Sequence, residues 1–162
     1  MAPVVLVGEV NPYAERPDLA LFPIPTGAAG HRLMHHLGLW RRTYTALERV
    51  NLCTERWSAP TARERARELL RGREATVFVL LGTQVADAFD APGPPYTYST
   101  RVVAAQPGGH VLARLPHPSG RNLLWNAPDA RALAREMLRE LVPEVPWGET
   151  DAAAEALAER TR

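Results

Sequence analysis

Apolar positions along this chain recur with two different periods, and the changes of period divide it into strands and helices. Val4 to Val7 is a short, β-branched apolar run closed by Gly8, the pattern of a buried strand running into a loop. Residues 8–27 carry Pro12, Pro17, Pro23 and Pro25, and a loop this long inside a compact domain is usually functional or disordered. From Ala28 to Leu39, Ala29, Leu33 and Leu37 recur at helical spacing and Gly38 weakens the end, which predicts a helix behind that loop. Leu47 to Cys53 reads as a second strand. Thr61 to Arg71, with Arg and Glu at helical spacing, reads as a solvated helix stopped by Gly72. Thr76 to Leu81 is continuously apolar, so this strand is expected to be covered on both faces.

Gly82 and Thr83 open another helix through Phe89, and Ala91-Pro92-Gly93-Pro94-Pro95 is a rigid turn. Two extended pieces, Thr97 to Ala105 and His110 to Leu115, flank Pro107-Gly108-Gly109, as a hairpin or as a strand with an irregular lead-in. Asp129 to Leu141, led by Pro128, is an amphipathic helix, and Pro143 to Pro146 ends the packed region. Strands alternating with helices predict a three-layer α/β/α domain around a central, mainly parallel four-stranded sheet over residues 1–146. Residues 147–162 form a charged, Ala-rich tail with helical character. Ligands of such sheets bind at the carboxyl ends of the strands, where Gly8, Asn51, Gly82 and His117 are expected.

Composition narrows the chemistry. The length, 162 residues with 46% hydrophobic content, suits one domain with a real core. No run approaches the roughly 18 apolar residues of a membrane helix, and no signal-like start is visible, so a cytoplasmic protein without a membrane partner is expected. Cys53 is the only cysteine, which excludes an internal disulfide and any site built from several thiolates, iron-sulfur clusters included. No metal or cofactor is indicated. The net charge of +1 gives no bulk argument for a nucleic-acid partner, which would need a local basic face. All 19 basic residues are arginine, so chemistry through a lysine imine is absent.

The most specific stretch is Leu115-Pro116-His117-Pro118-Ser119-Gly120-Arg121-Asn122. Prolines on both sides restrict the backbone around His117, so the loop should present the imidazole in one orientation. Glu9, Asn11 and Asn51 belong to the same expected edge. Taken singly, Asn51 also fits a polar residue ending a strand, and His117 a capped loop histidine.

Together, Gly8-Glu9-Val10-Asn11-Pro12-Tyr13, Ala29-Gly30-His31-Arg32-Leu33, Val50-Asn51-Leu52-Cys53, Val79-Leu80-Leu81-Gly82 and His117-Pro118-Ser119-Gly120-Arg121-Asn122 resemble the ordered landmarks of the uracil-DNA glycosylase superfamily. Its members flip a damaged base out of DNA and hydrolyse the N-glycosidic bond. The resemblance implies that Asn11, directly before Pro12, orients the attacking water, and that His117 stabilises charge on the departing pyrimidine. It implies that Asn51 reads the uracil edge, Phe22 stacks on the flipped base and Tyr13 closes the pocket beside C5. Ser119 and Gly120 would meet DNA phosphate, with Arg121 as the wedge that fills the space left by the flipped nucleotide.

The last motif is nearest to the single-strand-selective monofunctional branch, whereas Gly8-Glu9 and Ala29-Gly30 resemble the thermostable branch, whose iron-sulfur cysteines this chain lacks. One extra residue separates Gly8 from Pro12, so Glu9 is the alternative to Asn11 for the water. Without lysine, the reaction implied is monofunctional and leaves an abasic site. His31 and His35 lie four apart, but no Glu or third ligand completes a zinc motif, so they read as solvent-facing or DNA-facing. The expectation is a monomeric glycosylase acting on uracil or a modified pyrimidine in single- or double-stranded DNA. The rivals are a non-catalytic DNA or modified-base binder of the same fold, and a small-molecule nucleoside hydrolase.

Overall fold

The computed structural model describes residues 3–13, 15–103 and 108–161. Its elements run β1 (Val4–Asn11), α1 (Ala29–Leu37), α2 (Arg41–Ala46), β2 (Glu48–Thr54), α3 (Ala59–Leu70), β3 (Val77–Leu81), α4 (Thr83–Ala88), β4 (Thr97–Val102), β5 (Gly109–Leu115), α5 (Ala130–Leu141) and α6 (Glu149–Arg160). The strands form one sheet in the order β2-β1-β3-β5-β4. The first four are parallel and β4 is antiparallel to β5.

Consecutive strand residues address opposite faces of a sheet, and the apolar runs sort accordingly. Leu6, Val79, Leu81 and Ala113 pack with Leu33 and Leu37 of α1, Tyr44 of α2 and Leu138 of α5. Val5, Val7, Phe78, Leu80 and Leu112 pack with Ala66 and Leu69 of α3 and with Val85 of α4. β3 is buried at every position, as its uninterrupted apolar run requires.

Four departures from the sequence pattern have physical reasons. The sheet has five strands rather than four, because Thr97–Val102 adds an antiparallel edge. Its mostly exposed, polar residues suit an edge covered by solvent. Of the stretch expected to run from Thr97 to Ala105, Ala104 and Ala105 lie outside the described residues, as does Pro107. β1 does not stop at Val7: Gly8 pairs with Asn51, Val10 with Cys53 and Asn11 with Thr54, so the loop begins four residues later. Helix α2 is a single short element whose one buried residue is Tyr44, too little periodicity to be read from sequence.

The boundary at residue 146 also moves. Trp147 is 3% exposed within the core and donates from Nε1 to the Val142 carbonyl at 2.9 Å. Helix α6 buries none of its residues, yet its first turn is tied down. Gly148 and Thr150 donate backbone N–H groups to the carbonyls of Leu37 and Gly38, the Trp40 N–H donates to Glu149, and Arg135 pairs with Asp151. Among the described residues no helix is long and apolar enough to cross a membrane.

Candidate active site

The loop after β5 holds His117 by hydrogen bonds on all sides but one. Trp125 Nε1 donates to the Pro116 carbonyl at 3.1 Å, Asn122 Nδ2 donates to the His117 carbonyl at 3.0 Å, and the Ser119 N–H donates to His117 Nδ1 at 3.0 Å. Because Nδ1 accepts, the neutral ring carries its proton on Nε2. That nitrogen has no hydrogen-bond partner among the described residues. The Glu9 carboxylate stands 3.8 Å from it, beyond hydrogen-bond reach. The contrast with buried His110 is direct: its Nδ1 accepts from Thr76 and its Nε2 donates to the Leu70 carbonyl, so it only ties strand to helix.

Gly8 and Glu9 are consecutive on β1 and turn opposite ways. A Cβ on Gly8 would come within 2.6 Å of Asn51 Nδ2 and 2.9 Å of Leu21 Cδ2, and one on Gly82 within 3.0 Å of His117 Cβ and 3.4 Å of Glu9 Oε1. Gly8 therefore leaves room beside Asn51, and Gly82, directly after β3, leaves room beside His117 and Glu9. Asn51 Oδ1 is buried without a hydrogen-bond partner, an arrangement that is rare unless a ligand or water completes it.

The four principal candidates divide between two cavities. Glu9 and His117 share one of about 300 Å³, with Thr83, Gln84 and Arg114. Asn11 and Asn51 share another of about 330 Å³, with Arg49 and Arg65. Asn11 is 4% exposed and already engaged: its Oδ1 accepts from the Tyr13 N–H at 2.9 Å and its Nδ2 donates to the Arg16 carbonyl at 3.0 Å. It builds the turn rather than facing His117. Glu9 is the carboxylate that meets the imidazole.

Two further expectations are displaced. Tyr13 is 49% exposed and lines neither cavity, because the Asn11 turn carries it outward. Phe22 lines neither cavity; in that loop it is the Leu21 side chain that lies over Gly8. Ser119 accepts the Arg121 N–H at 3.2 Å, and Gly120 and Arg121 are exposed on the rim.

Sequence reasoning passed over three features. Arg114 lies within the extended piece His110 to Leu115, where a charge in a buried strand is itself a signal. Leu123 and Leu124, directly after the His117 loop, are 71% and 54% exposed. Beside them, Arg32 lies against Gly120, where a Cβ would come within 2.6 Å of its Nη2. Arg32, His31, His35 and Arg131 line an open cavity of about 270 Å³. His31 and His35 meet edge to face at 4.6 Å; among the described residues no three metal-ligating side chains gather.

His36, next to His35 in α1, stacks on Trp125 with centroids 4.3 Å apart. Burial, and then Arg131, Arg32, His35 and Arg135, push its pKa down to about 4. The unfolded chain takes up this proton near its ordinary value of 6.5, so stability is complete above that pH and is lost as the pH falls towards 4. Partial exposure makes the loss a fraction of the full linkage. Urea midpoints of the wild type should fall between about pH 7.5 and about pH 5, and His36→Phe, which keeps the stack without the titration, should flatten that fall. An unchanged slope in the variant would remove this assignment.

No family model matches the chain, and no curated protein matches it in sequence.

Proposed function

We propose that this protein is a monofunctional DNA glycosylase that hydrolyses the N-glycosidic bond of uracil, or of a uracil derivative, flipped out of DNA, on a three-layer uracil-DNA-glycosylase-like domain acting as a monomer. The observation that carries the reading is the oriented, unpartnered Nε2–H of His117 facing the Glu9 carboxylate. Cleavage of the N–C1′ bond sends the electron pair into the base, where charge collects on O2. A preorganised donor there is worth about 2.7–4 kcal/mol in comparable oxyanion sites. Glu9 orients water towards C1′ and accepts its proton as the bond to oxygen forms. The orphaned Asn51 Oδ1 would accept N3–H of uracil, while its amide donates to O4. For the base to reach Asn51 past Gly8, Leu21 must swing off the glycine.

The exposed pair Leu123 and Leu124 offers an apolar wedge beside Arg121, and Arg32, Arg121 and Arg131 offer cations to the phosphate backbone. Among the described residues none of the three pairs with a carboxylate.

The test is incubation with single- and double-stranded oligonucleotides containing U, hydroxymethyl-U, T or hypoxanthine, with abasic sites revealed by alkali. Alkali-labile sites at U or its derivative are expected. Salt-sensitive binding without cleavage would identify a binder instead, and cleavage of free nucleosides alone would identify a nucleoside hydrolase.

A further inference from the structure

Arg114 stands at the carboxyl end of β5, paired in register with Leu80 of β3 and Thr97 of β4, and is 9% exposed. A buried guanidinium is costly unless charge and hydrogen bonds answer it. The protein contains its own comparison: Arg135, 7% exposed, meets the Asp151 carboxylate as well as the carbonyls of His35 and His36. Arg114 meets no carboxylate among the described residues. Its Nε and Nη2 donate to Thr97 Oγ1 at 3.1 and 2.8 Å, and its Nη1 donates to Ser99 Oγ at 3.2 Å and to the Ala91 carbonyl at 3.5 Å. Every acceptor is neutral and one Nη2 hydrogen is left over, so the charge is uncompensated.

The side chain is also held in place. A Cβ on Gly93 would come within 3.0 Å of Arg114 Nε, so the turn after α4 lies flat against the guanidinium. Arg114 lines the same cavity of about 300 Å³ as Glu9, Thr83, Gln84 and His117. Glu9 repels an anion from the His117 end, whereas the hydroxyl of Thr83 and the amide of Gln84 are neutral donors. An anion is thus directed to the Arg114 end.

We propose that this cavity binds a phosphate group, with Arg114 as its buried counter-charge. The choice of phosphate over carboxylate rests on the glycosylase reading, since the nucleotide to be cleaved carries a phosphodiester on each side of its sugar. The remaining Nη2–H and the positive charge suit either oxyanion. The phosphate belongs to a nucleic-acid backbone or to a free nucleotide, and the probes separate these sources.

The Nε–H resonance of Arg114, assigned by comparison with Arg114→Lys, is followed by NMR while the wild-type protein is titrated with inorganic phosphate, with dUMP and with a thymine-only oligonucleotide. A saturable shift is expected, and Arg114→Gln, its fold checked by circular dichroism, should weaken binding of the effective probe about tenfold or more. A shift with the oligonucleotide alone assigns the site to backbone phosphodiester; a shift with dUMP or inorganic phosphate assigns it to a free phosphate. No shift with any probe overturns the proposal, as does a folded Arg114→Gln that binds like the wild type. If Arg114→Gln does not fold, the wild-type titration decides alone. None of these readings involves base release: phosphate binding without uracil release sinks the catalytic reading only, and uracil release without phosphate binding sinks this one only.

Discussion

Under the proposed glycosylase activity, replacing His117 by alanine is expected to lower kcat for uracil release by about 10²–10³-fold, with kcat/KM falling in parallel and KM little changed. The reason is that His117 Nε2–H has no hydrogen-bond partner among the described residues, while the Ser119 N–H on Nδ1 fixes which nitrogen carries the proton. Such a donor acts only where charge develops, in the transition state. Glu9→Gln should also reduce kcat, because an amide keeps the shape but takes up no proton from water. Asn11→Ala should behave differently. Its amide closes the turn to Tyr13 and Arg16, so its loss destabilises the loop by about 1–3 kcal/mol and leaves kcat within a few-fold once the protein is folded. Single-turnover rates with a uracil oligonucleotide, measured beside melting temperatures, separate the cases. A kcat collapse in Asn11→Ala with normal melting would restore Asn11 to the water; equal losses of rate and binding in His117→Ala would remove the role given to its imidazole.

The His117 loop was legible because prolines act locally: Pro116 and Pro118 restrict the chain wherever they occur, and His117 does face a cavity at the sheet edge. The parallel strands were legible for a similar reason, since runs such as Val77–Leu81 have no polar face to turn outwards. The assignment of Glu9 and Asn11 was not. It depended on whether β1 stops at Gly8 or continues, and pairing with β2 across Asn51 to Thr54 is a long-range fact that the local pattern, interrupted by a glycine and a glutamate, conceals. Once the strand continues, alternation sends Glu9 away from Gly8, and the Asn11 side chain is captured by its own turn. Arg114 was hidden the opposite way, by apolar neighbours on both sides, although its bonds to Thr97 and Ser99 exist only because β4 pairs with β5. The hairpin option for Thr97–Ala105 and His110–Leu115 allowed that pairing, but not the register that sets Thr97 opposite Arg114.

The largest stability effect expected of a single methyl group is at Gly30. In an open helix position, alanine in place of glycine is worth up to about 1 kcal/mol in favour of folding. Gly30 is buried in the first turn of α1, and a Cβ there would overlap the carbonyl groups of Leu21 and Phe22. These are backbone atoms and cannot rotate aside. The loop is held on its other side too, where Tyr44 Oη donates to the Leu21 carbonyl at 2.8 Å and the Phe22 N–H donates to the Leu19 carbonyl at 3.2 Å. Leu21 has a φ of +48°, a conformation that a branched side chain keeps only when its surroundings impose it. Gly30→Ala should therefore reverse the usual sign and destabilise by about 1–3 kcal/mol, lowering Tm by roughly 2–4 °C for each kcal/mol in a chain of this size. The displaced loop also carries the Leu21 side chain that lies over Gly8, so the same variant should alter KM for a uracil oligonucleotide more than kcat. A Tm equal to or above that of the wild type would mean that the 21–22 loop does not rest on α1, and with it would go the placement of Leu21 over Gly8 beside Asn51.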